Sequence, residues 1–307
     1  MTAGVIPTRT QRPSARQRAV TERTRRGLGR RRVVNSIMSG VLALAAVITV
    51  LPLLFILFHL LAKGATSLDL AFFTHMPKPV GEAGGGMANA IVGTLIVIGL
   101  AMACGLPVGV GAGLYLAEHR GEWLANSVRF LSDVLNGLPS IVMGIFAWQF
   151  LVRPIGHFSA LSGGVALGAM MIPMIARTTE EMVRTVPTSL REAALALGYA
   201  RWRTGLTIVL RTASAGIVTG VLVSLARAAG ETAPLLFTAF GNQFWSTSIT
   251  QPIAALPLQI FNYAISPYDD WHRLAWAGAL VLISLILVIS VIARFATRAR
   301  FDTGSGD

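Results

Sequence analysis

Charged residues are scarce in this chain. Asp, Glu, Lys and Arg make up only 13% of its 307 residues, against roughly 25% in an ordinary soluble domain. Hydrophobic residues make up 53%, and the mean hydropathy is +0.63. These values exclude a soluble globular protein and indicate a polytopic membrane protein.

Groups that carry catalysis or hold cofactors are also missing. The two lysines, Lys63 and Lys78, do not follow a glycine, so the chain cannot supply a Walker A loop for nucleotide phosphates. The five histidines stand in no metal-binding spacing, and no G-x-S-x-G motif is present. The single cysteine, Cys104, cannot form an intramolecular disulfide. The sequence therefore predicts neither an enzyme nor a cofactor or metal site, and energy for its function must come from elsewhere.

Most of the positive charge lies ahead of the first apolar segment. The formal net charge is +12, and residues 1–35 contain ten Arg and one Glu. A basic tail also suits nucleic-acid binding, but in this position it is typical of a cytoplasmic anchor that follows the positive-inside rule. We therefore predict no nucleic-acid partner. The low apolar content of this tail predicts that it is disordered.

Six segments are apolar and long enough to cross the hydrocarbon core, which takes about 20 residues. With the N-terminus inside, the inner segments carry 18 Lys or Arg and the outer segments three, so both termini are predicted to be cytoplasmic. The sequence thus predicts an all-α, multi-pass membrane protein. The predicted spans are 36–62, 88–116, 127–152, 162–182, 213–240 and 273–295.

Glycines recur at every fourth residue in three of these spans, a spacing that lets helix backbones approach closely. Five prolines also lie inside predicted spans, where the default expectation is a kink and the alternative is an opening around a cavity. The glycines are Gly105, Gly109 and Gly113, Gly164 and Gly168, and Gly216 and Gly220; the prolines are Pro52, Pro107, Pro139, Pro173 and Pro234.

Arg227 and Glu231 stand one helical turn apart inside the fifth predicted span. A charge at the middle of a membrane helix costs roughly 2.5–3.5 kcal/mol on insertion scales, so neither is expected to face lipid. We expect the pair to line a path for a charged substrate; the alternative is a structural ion pair between packed helices. Arg177, at the inner edge of the fourth span, is a second cation for such a path, and Asp133 is a weaker candidate.

The long inner segment 183–212 is predicted to form a helix, a glycine turn and a second helix. Ser189 is placed to cap a helix that begins at Leu190, with Glu192 three residues after the cap. Gly198 is placed to end that helix in the left-handed conformation. The second helix is predicted over about residues 200–209. An ordinary amphipathic connector would show the same features.

This segment also carries a family resemblance. Glu192, Ala193 and Ala194, followed after three intervening residues by Gly198, resemble the EAA loop of binding-protein-dependent ABC importer permeases, whose pattern is EAA-x3-G-x9-I-x-L-P. The match covers every position except the last, where Arg211 replaces the proline. The resemblance implies a type I, MetI-like permease core, and a loop that docks into a cleft on a separate ATPase subunit.

A second resemblance concerns the substrate. The run LARAAGETAPLLFT at Leu225–Thr238 is similar to the equivalent span of phosphate importer permeases of the PstA type, and residues 133–144 and 177–182 look similar too. It implies inorganic phosphate as substrate, with Arg177, Arg227 and Glu231 in its path. Arginine suits this role because its planar fork binds oxyanions bidentately and stays charged. Glu231, on the same helical face as Arg227, is expected to hold that arginine when phosphate is absent.

The same resemblance implies the partners and the location. These are a PstB-type ATPase dimer, a second, PstC-type permease subunit and an outer, PstS-type phosphate-binding protein, assembled in the bacterial plasma membrane. The alternatives are a permease for sulfate or molybdate, and a non-transporting scaffold or sensor of phosphate supply. The expected organisation is a cytoplasmic tail 1–35, a first helix 36–62, an extracytoplasmic loop 63–87, a permease domain 88–295 containing the coupling loop 183–212, and a cytoplasmic tail 296–307.

Overall fold

The structure, a computed structural model, describes residues 15–80, 82 and 84–302, and the side chains of 31–80, 82 and 84–295. Regular structure in this part of the chain is helical, apart from one isolated parallel bridge between Phe240 and Ile253. The chain divides into two units, residues 1–59 and residues 60–307.

The first unit contains most of helix α1 (Ala15–Ala65). The sequence predicts disorder for residues 1–35, whereas the structure is helical from Ala15 onward; residues 1–14 lie outside the described part. Side chains 31–58 are exposed along a strongly apolar run. Such a helix is suited to lipid on all sides, since lipid tails are as apolar as its side chains.

The second unit holds the remaining helices. Two short π-helical turns, Trp148–Val152 and Gly205–Val209, continue directly from the α-helices that precede them. The helices are α2 (Leu70–Thr74), α3 (Ala88–Glu118), α4 (Trp123–Gly137), α5 (Ser140–Ala147), α6 (Arg153–Ile155), α7 (Ala160–Arg184), α8 (Thr188–Ala196), α9 (Arg201–Thr204), α10 (Leu210–Ala229), α11 (Ala233–Thr238), α12 (Leu256–Ala264) and α13 (Asp269–Asp302).

Within the described residues, five helices are long and apolar enough to cross a membrane, and a sixth candidate is the bent pair formed by α4 and the helical segment Ser140–Ile155. This confirms the predicted all-α fold. The prediction of one continuous third span over 127–152 is wrong, however, because the two halves of this pair differ in direction by 107°. The break falls at Leu138 and Pro139, where proline lacks an N–H and forces the preceding residue out of the α region.

The centre of the second unit is the packing of α3 and α10 against neighbouring faces of α7. Glycines make these approaches close: a Cβ built on Gly105 would lie 2.9 Å from the carbonyl oxygen of Gly168, and one on Gly113 would lie 2.5 Å from that of Ala176. In the contact between α10 and α7, a Cβ on Gly220 would overlap the side chain of Thr178. The prediction that the spaced glycines form helix contacts is therefore confirmed.

The fifth span is also interrupted. The sequence predicts one helix over 213–240, but α10 ends at Ala229 and α11 starts only at Ala233. Pro234 occupies the first turn of α11, where its missing N–H costs little. After their breaks, α5 and α11 pack against each other, and Gly144 allows the approach: its Cβ would lie 2.9 Å from Cα of Pro234.

The segment between α11 and α13 folds back onto the helix ends. The N–H of Ser159 donates to the carbonyl of Thr238 at 3.0 Å, and the N–H of Leu256 donates to Oγ1 of Thr94 at 2.8 Å. Ile253 and Leu256 are fully buried. The start of α7 is thereby tied to the end of α11, and α3 to the start of α12. The N–H of Ala160 also donates to the carbonyl of Gln251 at 3.0 Å, so this predicted outer segment is an ordered part of the fold.

Candidate functional site

One face of α7, a helix long and apolar enough to cross a membrane, is partly exposed. Met170, Met174 and Arg177 follow the i, i+4, i+7 spacing that places them on one side of a helix, and all three are partly exposed. Arg227 of α10 lies over the same face and shares a small crevice with Met170 and Met174. Arg227 is therefore level with the middle of α7, and its side chain is 53% exposed.

The geometry of Arg227 differs from the sequence expectation. Glu231 was expected on the same face of one continuous helix, but it lies beyond the end of α10, in the break before α11. Its Oε1 is 3.9 Å from Nε of Arg227, which is an ion pair too long for a hydrogen bond. Because the last turn of a helix favours positive charge, Arg227 is stabilised there by α10 as well as by Glu231.

Arg177 has two carboxylate partners. Its Nε lies 3.1 Å from Oδ1 of Asp133, and its Nη2 lies 3.3 Å from Oδ2 of the same residue. Its Nη1 lies 3.4 Å from Oε2 of Glu180. Asp133, one turn before the C-terminal end of α4, thus holds the open side of the guanidinium, and Glu180 holds the side next to α7.

Glu180 is the centre of a larger cluster of charges. Its side chain is only 1% exposed, and its Oε1 accepts from Nε of Arg129 at 2.7 Å and from Nη2 of Arg184. Arg129 also donates to the carbonyl of Leu116 at 2.6 Å, which joins α3, α4 and α7. We call Arg129, Asp133, Arg177, Glu180 and Arg184 the Glu180 cluster; its summed formal charge is +1.

The sequence indicated Arg177 and, more weakly, Asp133, but it did not single out Arg129, Glu180 or Arg184. Glu180 stands three residues after Arg177, a spacing that favours a pair on one helix. The contact with Arg129 bridges 51 positions of sequence and depends on how α4 crosses α7. Only the three-dimensional packing brings these two residues together.

The structure does not bring the two path arginines into contact with each other. Arg227 lies beside Met170 and Met174, and Arg177 comes three to seven residues after them on α7. At 1.5 Å of rise per residue, the two cations are separated by roughly 5–10 Å along the helix axis. They therefore form two successive positive positions on one exposed face.

The predicted coupling loop is ordered. Its helix α8 starts at Thr188 after Pro187, and no side-chain cap is present, so the predicted capping by Ser189 is wrong. Pro187 is the N-cap residue, and its extended ψ of 137° marks the point where the chain enters the helix. Gly198 ends the segment with φ of +85°, as the sequence predicts, and a Cβ there would meet no atom within 4 Å. Glu192 and Ala193 are exposed, whereas Ala194 is buried against the permease.

The loop is fixed to the helix ends through Arg191. Its Nη1 lies 2.5 Å from Oε1 of Glu118, and its Nη2 donates to the carbonyl of Val183 at 3.3 Å. The helix after the glycine turn begins at Arg201 and continues through the π-helical turn into α10. It is therefore the start of the span that carries Arg227, and not the separate short helix predicted over residues 200–209.

Among the described residues, no group of three or more His, Cys, Asp or Glu is placed to hold a metal ion. The ionisable side chains of the site are dominated by arginine, and arginine donates but cannot accept hydrogen bonds. This arrangement of hydrogen-bond donors is suited to binding an oxyanion.

The comparisons with known proteins agree with this chemistry. Residues 109–301 match the family described as "Binding-protein-dependent transport system inner membrane component". A phosphate transport system permease protein PstA of Yersinia pestis is 49% identical over 243 residues, which cover 79% of this chain and 82% of that protein. The chain belongs to the PstA permease family. A PstA protein of Xylella fastidiosa is 47% identical to the permease, and the match covers 86% of this chain and 93% of that protein. A probable PstA protein of Methanocaldococcus jannaschii is 35% identical, and the match covers 87% of this chain and 95% of that protein.

Solved structures confirm the fold of the permease. A bacterial alginate ABC transporter chain superimposes with a TM-score of 0.62 at 14% identity, covering 92% of this chain and 99% of that chain. A chain of the MetNI methionine ABC transporter in an inward-facing conformation has a TM-score of 0.56 at 19% identity, covering 69% and 96%. The MetI-like core expected from the EAA pattern is therefore confirmed, and the permease is an inner-membrane component of a transport system.

Proposed function

We propose that this permease is one of two membrane-spanning subunits of an ATP-driven inorganic phosphate importer. It forms half of the translocation path, and its coupling loop transmits the action of a separate ATPase. The observation that carries the proposal is the partly exposed face of α7, along which Arg227 of α10 and Arg177 of α7 stand one after the other.

Desolvation explains why two exposed arginines favour a path. A charged side chain facing lipid at the middle of a span costs roughly 2.5–3.5 kcal/mol. Arg227 is half-exposed on this chain alone, and its distant contact with Glu231 does little to offset that cost. A second permease subunit and a water-filled path between the two subunits would keep both arginines away from lipid.

The chemistry of the two arginines favours phosphate. An anion that leaves water must find charged hydrogen-bond donors, because burying an unpaired charge is costly. A guanidinium offers parallel N–H groups that match two oxygens of a phosphate at once. Glu231 lies beside Arg227 without a hydrogen bond to it, so phosphate can compete for that arginine without first breaking a tight pair.

The coupling loop supports the assignment of partners. Glu192 and Ala193 are exposed on α8, and Gly198 sets the turn that follows. We expect this surface to dock onto an ATPase dimer of the PstB type, and a PstC-type permease to complete the path. A phosphate-binding protein of the PstS type would deliver the substrate from the outer side.

Uptake of radiolabelled phosphate tests the proposed function. Cells that lack the gene are expected to lose high-affinity uptake, and the wild-type chain should restore it, with excess unlabelled phosphate competing and excess sulfate not competing. Unimpaired uptake in the deleted cells would refute a transport role. Competition by sulfate equal to that by phosphate would support a permease of broader oxyanion selectivity.

A further inference from the structure

The carboxylate of Asp133 binds the guanidinium of Arg177 in the way that an oxyanion would. Both carboxylate oxygens face the guanidinium, at 3.1 Å from Nε and 3.3 Å from Nη2. This paired approach to two N–H groups is also the arrangement by which arginine binds phosphate. Phosphate and Asp133 therefore compete for the same donors of Arg177.

The two carboxylates on Arg177 differ in how firmly they are held. Glu180 is almost fully buried and accepts from Arg129 and Arg184 as well. The side chain of Asp133 is 55% exposed, and both of its carboxylate oxygens contact Arg177. Releasing Asp133 to water is inexpensive, because exposed pairs contribute little, whereas releasing Glu180 would strand a buried charge.

The position of Asp133 in its helix favours its return to Arg177. It stands one turn before the end of α4, which stops at Gly137 ahead of the sharp break. The C-terminal end of a helix carries partial negative charge, so a carboxylate there is destabilised when it has no cation. Arg177 supplies that cation whenever no phosphate occupies it.

We propose that Asp133 is a place-holder for phosphate at Arg177, and that Glu180 is the positioning residue that keeps the guanidinium in place when Asp133 leaves. The proposal rests on the proposed function, since it assumes that Arg177 faces the path. In the resting permease, Asp133 neutralises Arg177 and lowers the attraction of the path for anions. Phosphate delivered to the path displaces Asp133, which returns after the anion has passed.

A leak assay on the complete transporter tests this proposal. Permease, partner permease, ATPase and binding protein are reconstituted in vesicles loaded with radiolabelled inorganic phosphate, and efflux without ATP is measured per assembled complex. For Asp133→Asn we expect efflux to rise by roughly 1.5- to fivefold, the range that corresponds to the loss of one partly exposed ion pair. Asp133→Ser is measured alongside, so that the result does not depend on the folding of one variant.

Two controls define the interpretation. Asp133→Glu keeps the carboxylate and should stay as tight as the wild type. Glu122→Gln removes another exposed carboxylate, in the turn just before α4, where it accepts a hydrogen bond of 3.3 Å from Tyr115. It should also leave efflux unchanged. A rise in Glu122→Gln equal to that in Asp133→Asn would mean that charge loss anywhere near α4 opens the complex, and would overturn the proposal.

Arg177→Gln separates this proposal from the proposed function. If Arg177→Gln takes up phosphate at the wild-type rate, Arg177 is not in the path and the place-holder role of Asp133 is refuted, whereas phosphate import itself stands. If Arg177→Gln loses uptake while Asp133→Asn and Asp133→Ser stay tight, the path is supported and the place-holder is refuted. Loss of uptake in the Asp133 variants without added leak would also refute it, because Asp133 would then only position Arg177.

Discussion

Replacing Glu180 with glutamine removes one buried charge from contact with three arginines. The carboxylate of Glu180 accepts from Arg129, Arg177 and Arg184, and its side chain is 1% exposed. A glutamine of the same size keeps one acceptor oxygen but turns an NH2 group, which can only donate, toward guanidinium groups that also only donate. The substitution therefore leaves the packing volume intact and disrupts the electrostatics.

The size of the loss in stability depends on the contacts that each arginine keeps after the substitution. Breaking a buried pair by neutralising one partner costs about 3–5 kcal/mol. Arg177 keeps Asp133, and the side chain of Arg184, which is 40% exposed, can turn to water. Arg129 is only 16% exposed but keeps Asn126 and the carbonyl of Leu116. These remaining contacts favour the lower end, about 3 kcal/mol, or a fall in the midpoint of thermal unfolding of roughly 6–12 °C at about 2–4 °C per kcal/mol.

In the assay, the detergent-purified transporter is heated, and the fraction that still elutes as a single assembled peak in size-exclusion chromatography is measured at each temperature. Glu181→Gln is the matched control, because Glu181 is exposed on the same helix and such changes are usually within about 0.5 kcal/mol. Surface changes of this kind are expected to shift the midpoint by no more than about 2 °C. If the midpoints of Glu180→Gln and Glu181→Gln differ by less than that, the view that the Glu180 cluster holds α3, α4 and α7 together is refuted.

Two further predictions concern glycines. Gly198→Asp should insert and fold, because no atom lies within 4 Å of its Cβ and the left-handed φ costs only about 1 kcal/mol, but it should lose transport by placing a carboxylate at the docking surface. Gly198→Asn, which tolerates the same backbone, is expected to keep most uptake, and equal loss in both variants would point to backbone strain. Gly113→Ala should destabilise the permease by about 1–3 kcal/mol, because its Cβ would lie 2.5 Å from the carbonyl oxygen of Ala176. Gly111→Ala, with no atom within 4 Å, should be neutral or slightly stabilising in the same thermal assay, and equal midpoints for the two variants would contradict the packing of α3 on α7.

Much of the fold follows from composition and spacing. Local rules predict the apolar runs of span length, the four-residue spacing of the glycines and the turn at Gly198, and the structure confirms all three. The same rules do not separate a kinked span from a broken one. Pro107 and Pro173 stay inside continuous helices, whereas the chain breaks before Pro139 and Pro234. Proline alone does not decide this, because neighbouring helices determine whether the freed backbone groups find partners.

The candidate site was predictable only in part. Arg177 and Arg227 stand out because charges are rare inside apolar runs, and that rarity is a property of the sequence. Glu180 does not stand out in the same way, since it lies in a stretch of polar residues that resembles a solvated helix end. Its burial comes from the crossing of α4 over α7, and its partner Arg129 is 51 positions away. The break at Gly230–Thr232, which moves Glu231 off the face of α10, likewise depends on how α11 packs against α5.

Phosphate uptake by Arg227 variants tests the central claim most directly. Arg227→Gln removes a charge from the membrane interior, so it should insert and assemble at wild-type abundance, yet lose most uptake because a neutral amide cannot offset the desolvation of an anion. Arg227→Gln/Glu231→Gln should remain just as defective if Arg227 binds phosphate. Recovery of wild-type uptake in the double variant would contradict the account, because it would show that Arg227 and Glu231 are a structural ion pair whose two charges matter only to each other.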